Sequence, residues 1–199
     1  MKSRLLFIFL SCCSVASAQK NRQLSVDLYR SFHGTGDMRG LGFGVEYGRY
    51  LAKRFELSGG LAAQIHHDQE KLLLNTGGDP IDASYRMVTG GIQVYGLASF
   101  APLRSHSHEL KAGIGPLLRY QSSSASGGYG ISLFPNYPEP VFTFRQVEDQ
   151  NIVTIGFTAA FSYNYTFTKG FLIGAKAAFQ TDTNGDVLTQ YGIRIGKRF

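Results

Sequence analysis

The sequence predicts an all-β protein: an eight-stranded antiparallel up-and-down transmembrane β-barrel. Three observations predict it. Apolar residues alternate with period two along most of the chain, the segments between these runs differ in length in a regular way, and the second face of each run is polar and rich in glycine. Period-two alternation marks strands with one apolar face, not helices. The polar second face matters most, because a barrel in water and a barrel in lipid turn opposite faces to their surroundings.

Residues 1–18 stand apart from that pattern. Lys2 and Arg4 precede a compact apolar run from Leu5 to Leu10, and Ala16-Ser17-Ala18 puts small residues ahead of Gln19. This is the layout of a secretory signal peptide cut between Ala18 and Gln19, with residues 19–199 forming the barrel. Ser11, Ser14 and Ser17 interrupt the run well short of the roughly 20 apolar residues a transmembrane helix needs. Cys12 and Cys13 both fall inside the leader. A lipoprotein reading would acylate one of them, but Phe9-Leu10-Ser11 matches the usual Leu-small-small run poorly. The mature chain is then expected to hold no cysteine, which excludes disulfides, thiol catalysis and Cys-based zinc sites together.

Strand 1 puts Leu24, Val26 and Leu28 on one face. Strand 2 has Leu41, Phe43, Val45 and Tyr47, and strand 3 has Phe55, Leu57, Leu61, Ala63 and Ile65. Strand 4 carries Val88, Ile92, Val94, Ala98 and Phe100; strand 5 carries Leu110, Ala112, Ile114, Leu118 and Tyr120. Strand 6 is the clearest, running from Val153 through Ile155, Phe157 and Phe161 to Tyr165. Strand 7 shows Phe171, Ile173, Ala175, Ala177 and Phe179, and strand 8 shows Val187, Tyr191, Ile193, Ile195 and Phe199. Between them, Ala52–Arg54, Ala101–Ser107 and Thr166–Gly170 are short. The longer polar connections are His66–Ser84 and Gln121–Gln146, with His33–Met38 and Thr181–Asp186 short again. Short turns on one side and longer loops on the other match outer-membrane barrels, whose turns face the periplasm.

The second face carries Asp27, Glu46 and Glu56 against Lys111, Arg119, Lys176, Arg194 and Arg198. Such opposed charges are expected to neutralise one another across a narrow lumen, where an unpaired charge is costly. Aromatic residues gather near strand ends (Tyr47, Phe55, Phe100, Tyr120, Tyr163, Tyr165, Phe171), as an interfacial girdle requires. Many of the 24 glycines sit on the polar face. They are expected to leave room for Tyr29, Tyr50, Tyr85 and Tyr95 inside a tightly curved wall. Pro116 lacks an N–H and should mark a bulge or the end of regular pairing in strand 5.

The C-terminal stretch Tyr191-Gly192-Ile193-Arg194-Ile195-Gly196-Lys197-Arg198-Phe199 resembles the terminal strand read by the outer-membrane assembly machinery. Tyr191, Gly192, Ile193, Ile195 and Phe199 carry the resemblance, while Lys197 stands where an apolar residue is more usual. Leu110-Lys111-Ala112-Gly113-Ile114-Gly115-Pro116 also looks like the Gly-rich strand start of small outer-membrane β-barrel domain proteins of the OmpA/OmpX type. The resemblance covers the whole mature chain. It implies a barrel in a Gram-negative cell outer membrane, embedded in lipid and lipopolysaccharide, with no peptidoglycan-binding domain after the last strand.

Charge and motifs narrow the chemistry. The chain has 20 Lys+Arg against 14 Asp+Glu, a net of +6, with the cations scattered. No basic run marks a nucleic-acid partner. His66-His67-Asp68 contains metal-ligand types, but neighbours in a strand point to opposite faces, so the pair converges only at a turn. His106-Ser107-His108-Glu109 holds hydrolase residue types in a turn expected on the periplasmic side, away from any outer-leaflet lipid, and no nucleophile elbow accompanies it. Gly127-Gly128-Tyr129-Gly130 lacks the Lys-Ser/Thr of a phosphate loop. The surrounding loop 121–146 carries Phe134 to Phe142, an aromatic and proline-rich stretch that either packs on the barrel or offers a surface to a partner. The residues therefore predict no enzyme, metal or cofactor, and a structural or surface-interaction barrel. The alternatives are a narrow pore or hydrophobic-solute conduit, a lipid A-modifying barrel and a soluble lipocalin-like barrel.

Overall fold

The computed structural model describes residues 21–34, 38–71, 73–74, 81–82, 84–126, 129–132, 141–144 and 149–199. The leader, its cut at Ala18–Gln19, the pair Gly127-Gly128, most of the Phe134–Phe142 stretch and the side chain of Tyr85 lie outside the described residues. Eight long strands carry the fold: β1 (Arg22–His33), β2 (Met38–Tyr50), β3 (Phe55–Glu70), β4 (Tyr85–Arg104), β5 (His108–Ser126), β6 (Gln150–Thr166), β7 (Phe171–Asp182) and β8 (Val187–Arg198). Each pairs antiparallel with its neighbours in chain order, and β8 returns to β1 to close the barrel. Two small ribbons extend from the loop side, Leu73–Leu74 with Ile81–Asp82 and Tyr129–Ser132 with Val141–Phe144.

One end of the barrel holds the tight turns 51–54, 105–107 and 167–170, together with Asn21 and Phe199. Gly170 adopts φ 81° there, a left-handed conformation that closes the last turn. The opposite end holds the connections 34–37, 71–84, 127–149 and 183–186. Three strands run further than the sequence alone suggested. β3 continues to Glu70, past the loop expected from His66; β4 runs to Arg104, past the turn expected from Ala101; β5 reaches Ser126, past the loop expected from Gln121. The reason is physical: apolar alternation stops at the edge of the greasy band, whereas the backbone ladder needs only a partner strand and carries on.

Pro116 marks a local lapse in regular pairing, not a bulge. The pairing of β4 with β5 lapses between Tyr95↔Leu117 and Ala98↔Ile114 and then resumes in the same register. The register shift falls between Phe100 and Leu103, at the segment holding Pro102. Pro116 lies on the exposed face and remains opposite Phe157 of β6, so its missing donor falls at the lapse and needs no extra residue.

The wall is apolar outside and polar inside. Leu28, Phe43, Ile114 and Phe157 are more than half exposed, while Ser25, Asp27, Arg119 and Arg194 are buried. The same inversion holds along every strand and cannot be stable in water, where a monomer tolerates exposed apolar patches of only a few hundred Å². It suits hydrocarbon, in which a closed sheet leaves no backbone group unpaired. The chain is thus a membrane-spanning barrel, and no soluble lipocalin-like arrangement fits it. Aromatics crowd the turn end: Phe55 stacks at 5.2 Å from Phe100, and Tyr165 at 5.0 Å from Phe167.

Candidate functional site

With the apolar side chains turned outward, the inward positions of eight strands must fill a narrow lumen. A small apolar cluster (Tyr29, Ala62, Tyr95, Leu97, Leu117) fills part of it. Two glycines make the tyrosines fit. A Cβ on Gly42 would run into the ring of Tyr29, and one on Gly60 into the ring of Tyr95. Tyr50 finds its room otherwise: the Arg104 guanidinium lies 3.5 Å from its ring centroid.

The remaining inward positions are polar and fall into three levels along the axis. In the middle, Arg194 spans two acids. Its Nε and Nη2 donate to Asp27 at 2.7 and 2.8 Å, and Nη2 also donates to Glu46 at 2.9 Å. Lys176 approaches from the facing wall, its Nζ donating to Glu46 at 2.6 Å, Asp27 at 3.0 Å and the Tyr95 hydroxyl oxygen at 3.1 Å. The Tyr95 hydroxyl donates in turn to Glu46 at 3.1 Å. Register explains part of this, since Asp27 sits directly opposite Arg194.

Toward the turns, Lys111 Nζ donates to Glu56 at 2.7 Å. Arg198 Nη2 lies 2.8 Å from Glu109, which also accepts from Asn164 Nδ2 at 2.9 Å and from the Tyr50 hydroxyl. Toward the loops, Arg119 donates to Asp182 and to Gln180, each at 2.7 Å, and Thr154 donates to Asp182 at 3.0 Å. Gln121 Nε2 donates to Asp186 at 3.1 Å.

All eight charged residues singled out in the sequence point inward, but they do not form one network. Asp27, Glu46, Lys176 and Arg194 meet in the middle; Glu56, Lys111 and Arg198 lie toward the turns; Arg119 lies alone of the eight toward the loops. Sequence reasoning passed over Glu109 and Asp182, which pair with Arg198 and Arg119, and over Asp186 and Arg104 beside them. With these included, six carboxylates stand against six basic side chains. Glu109 was legible, because it is two residues from Lys111 and shares its face. Asp182 and Asp186 were hidden by their position at a strand end and turn.

The histidine motifs come apart in the structure. His66 faces inward, its Nε2 2.9 Å from Ser31 Oγ, while His67 faces outward in the same strand. His108 points out to the Tyr163 hydroxyl at 2.7 Å, and Glu109 points in. Neither motif converges, and no metal-holding group of His, Cys, Asp and Glu occurs among the described residues. Between the middle and loop levels lies a cavity of about 20 Å³, lined by Asp27, Gln93, Lys176 and Gln190 among others. That is room for about one water.

A closed eight-stranded sheet with a lipid-facing wall and a plugged, ion-paired lumen defines a small transmembrane β-barrel of the outer-membrane type. Its fold is similar to that of Ail, the attachment invasion locus protein of Yersinia pestis, with a TM-score of 0.55 at 12% identity over 91% of this chain and 100% of that one. The same figures apply to Ail in complex with the heparin analogue sucrose octasulfate. Neisserial surface protein A gives a TM-score of 0.49 at 10% identity, covering 89% of this chain and 96% of the other. No family model and no curated relative matches the sequence. At these identities the likeness is one of fold.

Proposed function

We propose that the chain is an outer-membrane barrel with a structural and surface-interaction role, acting through its loops and not as an enzyme or a channel. One observation carries the reading: among the described residues the lumen is crossed by ion pairs at three levels, which turns any partner toward the outer wall and the connections at its ends. The largest connection, 127–149, joins β5 to β6 on the loop side, and both strands extend beyond the apolar band to hold it. Arg30, Arg39, His67 and Arg86 face outward near the same rim on four successive strands, with Arg39 directly opposite His67. Three arginines above an apolar wall, with His67 among them, suit the phosphates of lipopolysaccharide. Ail carrying a polysulfated sugar is consistent with an anionic surface ligand for such a barrel. The outward face of β8, with Tyr191, Ile193, Ile195 and Phe199 and Gly192 between them, supports its recognition by the assembly machinery. The signal peptide 1–18 delivers the chain to the periplasm.

The test is fractionation of cells expressing the chain, with samples run on a gel before and after boiling, and protease added to intact cells. An outer-membrane band that shifts on heating and is clipped within 127–149 is expected. Lipid A from a deletion strain should be unchanged in mass. A soluble band with no heat shift, or an altered acyl pattern in lipid A, would overturn the reading.

A further inference from the structure

Lys197 interrupts the outward row Tyr191, Ile193, Ile195, Phe199, and the fold shows what surrounds it. It lies at the turn end of the seam where β8 meets β1. Arg22 is bonded there to Phe199 through both backbone amides, at 3.0 and 2.9 Å, and faces Arg49 of β2 on its other side. The bond from Tyr50 N to Asn21 O makes Arg22 and Arg49 a non-hydrogen-bonded pair, the arrangement that brings facing side chains closest. Like charges directly opposite one another destabilise a sheet. Arg22, Arg49 and Lys197 are all exposed, and none joins an ion pair among the described residues. The side-chain carboxylates of this end, Glu56 and Glu109, point into the lumen and are held there by Lys111 and Arg198.

From these cations an apolar groove climbs the wall along the seam, with Leu24 and Val26 on one side, Ile193 and Ile195 on the other, and Phe171 and Phe199 at its mouth. A cationic foot with a continuous apolar channel above it matches one kind of occupant. We propose that the β1–β8 seam is a binding site for an anionic glycerophospholipid of the turn-side leaflet, its phosphate among Arg22, Arg49 and Lys197 and an acyl chain in the groove. A zwitterionic lipid would bring a cation back among three cations. A protein partner would have to displace lipid from a channel continuous with the lipid band. The bound phosphate relieves the Arg22–Arg49 repulsion and gives Lys197 its place in an otherwise apolar row. The choice of leaflet rests on the orientation proposed above.

The experiment uses the full chain purified from membranes and reconstituted in nanodiscs of phosphatidylethanolamine with a minor share of phosphatidylglycerol. Retained lipid is then counted by native mass spectrometry after the disc is stripped. The wild-type barrel should keep phosphatidylglycerol in excess of its share. Arg22→Gln with Arg49→Gln should lower that enrichment by about fivefold for each charge removed. Lys197→Gln should lower it similarly, while Lys71→Gln at the opposite rim, outside the row of arginines there, should leave it unchanged. Retention of the two lipids by the wild type in proportion to their share of the disc would overturn the proposal, whatever the variants do. So would loss of enrichment only in the loop-rim variant, which would place the anion at the opposite rim. A wild-type chain that gives no heat-shifted band would sink the membrane reading and not this site alone.

Discussion

On the outer wall Val26 stands between Val45 and Ile195; one residue along β1, Asp27 stands between Gly44 and Arg194. The first trio meets lipid, which presses on any aliphatic side chain alike, so composition and alternation suffice. The second trio meets the lumen, where a Cβ on Gly44 would press on Ala62 and where Arg194 must bring two donors within hydrogen-bond distance of Asp27. Adjacent residues of one strand thus answer to different demands. The wall tolerates exchange of like for like, and the lumen tolerates little exchange of any kind.

The sharpest way to break that contrast is Arg194→Met. It leaves Asp27 and Glu46 buried with only Lys176 to serve both, and breaking a buried pair costs about 3–5 kcal/mol. Urea unfolding in detergent micelles, followed by the heat-shifted band, should show that loss. Adding Asp27→Asn should recover part of it, because Lys176 then needs to neutralise Glu46 alone. If the single variant is as stable as the wild type, the lumen pairs contribute nothing and the contrast fails.

Next in size is Val45→Arg, which asks the wall to accept a charge. At mid-depth in lipid the expected loss is about 2–4 kcal/mol, and it should fall in a thinner bilayer as the side chain reaches the interface. A loss that ignores bilayer thickness would mean this strand is covered by protein instead of lipid. The smallest effect is expected from Leu61→Ile, opposite Val45 and Val94 on the wall, at within about 0.5 kcal/mol on the same unfolding curve. A large effect there would show that the wall packs against a specific partner.

How much of this could be read from the residues follows the same division. Strand 6 announced itself because Val153, Ile155 and Phe157 alternate without a break, and the structure keeps β6 in that phase. The upper part of β3 did not, since His66, His67 and Asp68 carry no apolar alternation although their backbone is fully paired with β4. Pro116 was legible in part: regular pairing lapses opposite it, as a missing donor requires, but no extra residue is inserted there. For the lumen, the inward direction of Asp27, Glu46, Glu56, Lys111, Arg119, Lys176, Arg194 and Arg198 was legible from phase alone. Their separation into levels was not, because depth along a tilted barrel depends on register across several strands. Glu109 was misplaced for a related reason. It sits next to His106-Ser107-His108, a set that looks like chemistry in one dimension and splits to opposite faces in three.

The sequence by itself determined the strand number, the inside-out amphipathy and which residues face the lumen, because each follows from period-two alternation and its phase. Only the tertiary structure decided the partners. Closing β8 onto β1 set the register that brings Arg194 to Asp27, and the closed barrel seated Tyr29 over Gly42 and Tyr95 over Gly60 and brought Lys111 to Glu56, Arg119 to Asp182 and Arg198 to Glu109. Pairing across the closing seam joins residues as far apart in the chain as Asp27 and Arg194, and no local pattern encodes a contact that exists only once the sheet has closed.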